Sequence, residues 1–178
     1  MVIRAAAAAD LDGVAAVYDA IHDAEEAGKA ETGWIRGVYP TRGTAEAALQ
    51  RGDLFVLAAE GKICGAAVIN RTQVDVYAGA AWEHEVPDEA VCVLHTLVID
   101  PAVGGRGYGA AFIRFYEDFA RAAGCTELRI DTNARNRAAR SMYARRGYTE
   151  IGIVPTVFNG IPGVDLVLLE KYIGAKDG

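Results

Sequence analysis

The sequence predicts an α+β domain in three α/β/α layers, with one mixed β-sheet between two helical faces. Three observations carry this. Strand-like and helix-like apolar runs alternate in the order β α α β β β α β α β β. No linker, repeat or biased stretch divides them, and 178 residues suffice for one sizeable core. Between a strand-like and a helix-like run lies Val103-Gly104-Gly105-Arg106-Gly107-Tyr108-Gly109, a loop-to-helix junction dominated by glycine. A single domain is expected over residues 1–173, with a short tail at 174–178.

Each element has its own signal. Val2 to Arg4 reads as a first strand, and Asp10 as the cap of a helix on which Leu11, Val14, Tyr18 and Ile21 share a face. Gly28 stops it. A glycine-punctuated loop follows with Trp34, Arg36, Tyr39 and Pro40, residues suited to a substrate-binding wall. Thr44 is the expected cap of a second helix ending near Gly52. Asp53 to Glu60 and Lys62 to Asn70 form strands joined at Glu60-Gly61. Arg71 to Ala90 carries no clear period and reads as loop. Val91 to Ile99 is an apolar strand that leads through Asp100-Pro101 into the glycine stretch. The helix from Ala110 to Ala123 sets Phe112, Phe115, Tyr116 and Phe119 on one face, with Arg114, Glu117, Asp118 and Arg121 on the other. Thr126 to Thr132 is a strand and Asn136 to Arg146 a short helix. Tyr148 to Val157 and Val164 to Tyr172 are the last strands, joined by a turn over 159–163.

The composition excludes several classes. Hydrophobic residues are 52% and charged residues 24%, as in ordinary globular proteins. A net charge of −6 argues against nucleic acid as a partner and suits cationic substrates. No apolar run is long enough for a membrane span, and Asp10 and Asp12 interrupt the first residues before a secretory core could form. Cys64, Cys92 and Cys125 are odd in number and lack metal-ligand spacing, so no metal and no disulfide framework is expected, and the cytoplasm is the default location.

The glycine stretch is the first candidate site. Glycines let backbone N–H groups approach a ligand, and a helix start adds unpaired donors and partial positive charge, a combination suited to phosphate. A Walker A loop is excluded, because no Gly-Lys-Ser/Thr closes the stretch. Gly105, Gly107 and Ala110 fit a dinucleotide pattern, with Asp131 one strand later as the ribose partner. That reading needs a loop directly after its strand and more β-α units than remain downstream.

The residues from Leu94 to Phe112, with Gly107 and Gly109 at two small positions, resemble the acyl-CoA loop of the GNAT family of N-acyltransferases. Asn136, Ala139, Tyr143, Gly147 and Tyr148 resemble that family's second motif about 30 residues on. Gly104 stands where the family has Arg or Gln, and Tyr148 where it has Phe. The resemblance implies a mostly antiparallel seven-stranded sheet with about four helices, splayed between its fourth and fifth strands, Leu97 to Ile99 parting from Arg129 to Asp131. It implies acetyl-CoA as cosubstrate, with its arm along Leu97, Val98 and Ile99. The pyrophosphate would lie on Gly104, Gly105, Arg106, Gly107, Tyr108, Gly109 and Ala110, with Asn136, Ala139 and Tyr143 along the arm. Tyr143 is the implied general acid and the backbone of Leu97 to Ile99 the oxyanion donor.

The base is open among His95, which an unbroken strand would set on the face of Leu97, and Glu83, His84 and Glu85. Glu85 stands for that loop among the candidate catalytic residues. His22 reads as structural. Arg135, Arg137, Arg140, Arg145 and Arg146 are either a solvated face or ligands of the 3′-phosphate. The acceptor is expected to be a small-molecule primary amine. A protein N-terminus or lysine, or a non-catalytic acyl-CoA sensor on the same scaffold, are the alternatives. A homodimer is left open as its assembly.

Overall fold

The computed structural model describes residues 1–174; residues 175–178, most of the expected tail, lie outside the described residues. The predicted element order is the observed one: β1 (Val2–Ala5), α1 (Leu11–Glu26), α2 (Arg42–Arg51), β2 (Leu54–Ala59), β3 (Lys62–Asn70), β4 (Val91–Ile99), α3 (Tyr108–Ala122), β5 (Glu127–Asn133), α4 (Arg137–Arg145), β6 (Thr149–Phe158) and β7 (Ile161–Tyr172). The seven strands form one sheet in the order β1-β2-β3-β4-β5-β7-β6. Every pair is antiparallel except β4–β5. One parallel pair cannot make a doubly wound sheet, and the dinucleotide reading falls with it.

Two cores cover the two faces. Phe112, Tyr116, Tyr143 and Tyr148 pack with Leu94, Leu128 and Leu169 beneath α3 and α4. Val14, Val17, Ala45 and Ala48 pack with Val56 and Val68 beneath α1 and α2. Farther along that second face, Tyr77 covers Val91, Val93 and Leu166 from the loop between β3 and β4.

Several local expectations are corrected. Asp10 does not cap α1 with its side chain; its carboxylate pairs with Arg4 at 2.7 Å and accepts from the Ala7 N–H, tying β1 to the helix start. The cap of α2 is Thr41, and Thr44 is its partner three residues on, each hydroxyl accepting from the other's backbone N–H. α3 begins at Tyr108, two residues earlier than its apolar period suggests. Glu117, assigned to the polar face, is buried and accepts from Lys171 at 2.9 Å. The β6–β7 turn is only Asn159-Gly160, and β7 starts at Ile161.

The parallel ladder decides where the site opens. β4 and β5 pair from Val91↔Glu127 to Leu94↔Ile130 and then part. Extending that register sets His95 beside Asp131 and Leu97 beside Asn133, so Arg129 belongs to the paired part and not, as expected, to the splay. The β5 side of the β4 backbone beyond Leu94 thus carries no ladder bonds.

Candidate active site

A β-bulge shapes the splayed end of β4. Ala66 pairs with Val98 and Val68 with His95, so three intervals on β4 face two on β3, and Thr96 takes φ +51°. The extra residue reverses the alternation. Leu97 packs on the α3/α4 side with Leu94, while Val98 packs on the α1/α2 side. His95 follows Val91 and Val93 on that second side, so it does not share the face of Leu97 as an unbroken strand would require.

A cavity of about 840 Å3, its open mouth included, passes through the sheet at the splay. Its lining mixes both faces: Asn136, Ala139 and Tyr143 from α4, and His95, Thr96, Leu97 and Asp131 from the strands. Trp34 and Tyr39 of the α1–α2 loop and Phe158 of the β6–β7 hairpin complete the walls. Trp34 and Tyr39 meet edge to face at 6.1 Å, and the Tyr39 hydroxyl is hydrogen-bonded to Thr96 Oγ1. Among the residues nominated for substrate, Arg36 lies elsewhere. It is exposed and paired with Asp23 and Glu26 of α1.

Asp131 is the ionisable group that sequence reasoning missed for this site. It is the first residue of β5 beyond the part paired with β4, and it accepts a 2.7 Å hydrogen bond from the Tyr77 hydroxyl. Burial pushes its pKa up to about 6, with the Tyr77 bond opposing. Tyr143 lies 4% exposed at the cavity wall, its phenol pushed above the ordinary value by burial and then by the Asp131 carboxylate. His95 lies across the splay from Asp131. Asn70 gives its amide N–H to Asp53, so its oxygen accepts from His95 Nε2–H at 3.0 Å. Burial lowers the His95 pKa from the ordinary imidazole value.

Glu83, His84 and Glu85 are not at this site. Their loop lies against Glu170, at the end of the sheet where Glu127 opens β5, and Glu85 is exposed. His22 is buried and gives Nε2–H to the Pro40 carbonyl, holding the α1–α2 loop. Arg135 pairs with Glu25, Arg137 with Glu31 and Arg140 with Glu150. The first two ion pairs join α4 and the turn before it to α1 and its loop at the cavity rim.

The glycine stretch lies outside the cavity, beyond the far end of β4. Gly105 and Gly107 take φ +78° and +77°, and a side chain there would meet only open space. Gly107 caps α3, so the free N–H groups of its first turn face the loop. Gly109 serves packing, since a Cβ would stand 2.9 Å from Met142 Sδ of α4. Arg106 is exposed and pairs with Glu60 at 3.5 Å. Asn136 caps α4 by accepting from the Ala139 N–H at 3.1 Å, which leaves its amide N–H groups for a ligand. The open loop, the helix start and the unpaired strand edge together fit a long phosphorylated thioester.

Residues 15–148 match the family model for the acetyltransferase (GNAT) family, so the chain belongs to that family. The chain is 32% identical over 69 residues to the mycothiol acetyltransferase of Beutenbergia cavernae, 39% of this chain and 23% of that protein. It is 34% identical over 64 residues to the aminoglycoside N(6′)-acetyltransferase type 1 of Klebsiella aerogenes, 36% of this chain and 42% of that one. It thus spans less than half the length of either curated relative. Its fold matches a Salmonella typhimurium protein solved with its cofactor acetyl-CoA, with a TM-score of 0.69 at 17% identity over 100% of this chain and 96% of that one.

Proposed function

We propose that this protein transfers an acetyl group from acetyl-CoA to the primary amine of a small molecule, with Asp131 as proton acceptor and Tyr143 as proton donor. One observation carries the reading: a carboxylate and a phenol converge from opposite faces of the sheet on the cavity at its splay. A cationic amine is drawn to Asp131 and to the aromatic walls of Trp34 and Tyr39. The unpaired β4 edge and the glycine loop suit the thioester arm and its phosphates, and a backbone N–H of Leu97 to Ile99 suits the developing oxyanion.

Asp131 takes one proton from the ammonium. The freed nitrogen attacks the thioester carbonyl, the C–N bond forms and the C–S bond breaks. Tyr143 gives its proton to the leaving sulfur and regains one from the nitrogen, which still carries one in excess. The order is built into the electrostatics. While ionised, Asp131 holds the Tyr143 proton tightly. Once protonated, it no longer does, and Tyr143 becomes the stronger acid as the thiolate leaves. Asp131 takes the base role over His95, whose basicity burial lowers.

The ion pairs of Arg135 and Arg137 bridge α4 and the turn before it to α1 and its loop beside the cavity, an arrangement that suits a small acceptor better than a protein terminus. Three buried free cysteines suit a reducing cytoplasm, and among the described residues no helix is long and apolar enough to cross a membrane. Steady-state assays over a panel of amines, with calorimetric titration of acetyl-CoA, test the reading. Tyr143→Phe is expected to lower kcat by about 10²–10⁴-fold with acetyl-CoA affinity unchanged. Full turnover in that variant removes Tyr143 from the reaction, and no acetyl-CoA binding at millimolar ligand removes the function.

A further inference from the structure

A second cluster of ionisable groups is buried at the other end of β4 and β5, remote from the cavity lining. Glu127 opens β5 and is 0% exposed; Glu170 of β7 is 2% exposed. Among the described residues, neither oxygen of Glu127 has a hydrogen-bond donor, nor has Oε2 of Glu170. Oε1 of Glu170 accepts from the Glu83 N–H at 2.8 Å. The His84 ring lies over both carboxylates, with Nδ1 4.0 Å from Glu127 Oε2 and 4.0 Å from Glu170 Oε1, and Nδ1 is itself buried and unpartnered. Donor atoms of Glu83, His84 and Glu170 lie within 4.8 Å of one another. Among the described residues, Arg129 is the cation packed nearby. It gives Nη1–H to Gln73 Oε1 and lies over the Trp82 ring at 4.0 Å, while its Nε meets no partner.

We propose that His84, Glu127 and Glu170, with Glu83 closing the open side, bind one divalent transition-metal ion of the zinc class. Buried carboxylates demand a cation or donors, and these have neither in full. With all three carboxylates ionised, the one guanidinium among the described residues leaves two negative charges, which a divalent ion neutralises. The donor set of one imidazole nitrogen and carboxylate oxygens is one that zinc accepts, whereas calcium and magnesium favour all-oxygen sets of six or more. Tetrahedral ligands on bonds of about 2.0–2.1 Å stand roughly 3.3 Å apart, so the 4.0 Å gaps need close by less than about 1 Å. The imidazole is already oriented by stacking on Tyr172, at 4.6 Å and 7°. Without the ion, burial and then the facing Glu170 raise the Glu127 pKa, so a proton competes for the same place.

The ion would pin the β3–β4 loop to β5 and β7. Tyr77 lies on that loop, joined to Trp82 by an indole N–H bond to its carbonyl, and Tyr77 is the donor to Asp131. The site therefore steadies one wall of the cavity without entering it.

Chelator-stripped full-length protein titrated with ZnCl2 by calorimetry tests this, with melting temperature as second readout. One ion per chain, with micromolar or tighter affinity and a raised melting temperature, is expected. His84→Ala removes a partly exposed ring and leaves the core intact; it is expected to weaken zinc at least 100-fold, as is Glu170→Gln. Cobalt substitution adds a visible band that both variants lose. No stoichiometric binding means a shared proton is the only occupant and overturns the proposal. Equal affinity in His84→Ala also overturns it, by placing the ion elsewhere, and that variant decides if Glu170→Gln does not fold.

Discussion

Asp131 carries opposite consequences for stability and for activity. Its pKa of about 6 in the fold exceeds the ordinary 3.8 because burial penalises the charge. Between about pH 4 and 6 the native state therefore holds a proton that the unfolded chain has lost, and this contribution to stability is lost as pH rises through the folded pKa. Above that pH the ionised carboxylate is a standing cost. Asp131→Asn keeps an acceptor for Tyr77 and is expected to stabilise the protein by about 1–2 kcal/mol at pH 7, read from denaturant midpoints. The same change should lower kcat/KM by about 10²–10⁴-fold and abolish the acid limb near pH 6. An unchanged limb in Asp131→Asn returns the base role to His95, and His95→Gln then becomes the diagnostic variant. In the sequence Asp131 is one acid at a strand end, visible only as a possible ribose partner. Its role depends on a buried tyrosine 54 residues away.

At the scale of elements, glycine has different reasons at neighbouring positions. Gly107 caps α3 at φ +77°, where a side chain is strained. Gly107→Ala is expected to cost about 1–2 kcal/mol in urea unfolding and to weaken acetyl-CoA about tenfold by calorimetry. Gly104 sits at φ −55°, where a side chain meets no backbone strain but its Cβ would stand 3.2 Å from the Pro101 carbonyl oxygen, so Gly104→Ala should cost less than Gly107→Ala, about 1 kcal/mol or under. Equal effects at the two positions would show that left-handed backbone is not what the loop requires. The elements themselves were legible because their apolar periods span whole helices and strands. Termini and bulges were not. Thr41 and Thr44 differ only in which one takes the helix geometry. The extra residue at Thr96, which turns His95 away from Leu97, is set by pairing with β3 and leaves no local mark.

At the scale of the molecule, the splay makes the site a gap between two half-sheets. A ligand bridging β4 and the α4 side ties the halves together, so acetyl-CoA should stabilise the native state by mass action. At 100 times its dissociation constant the gain is about 2.7 kcal/mol, or roughly 5–11 °C in melting temperature for a chain of this length. Scanning fluorimetry with acetyl-CoA and with NAD checks this; a shift with NAD alone would contradict the family's cosubstrate for this chain. Glu25, Glu31 and Glu150 pair with Arg135 just before α4 and with Arg137 and Arg140 on it. Those three cations are thereby engaged with the chain's own carboxylates.

The sequence by itself determined the element order, the glycine-rich entry to α3 and the placing of Asn136 and Tyr143 on one short helix and its cap, because these depend on local period, glycine content and fixed spacing. Only the tertiary structure decided that Asp131 lines the same cavity as Tyr143, that Arg36 and Glu85 stand away from that cavity, and that His84, Glu127 and Glu170 gather at the opposite end of β5. Those juxtapositions come from strand register and from a loop with no period of its own, and contacts between distant residues are written in no single stretch of chain.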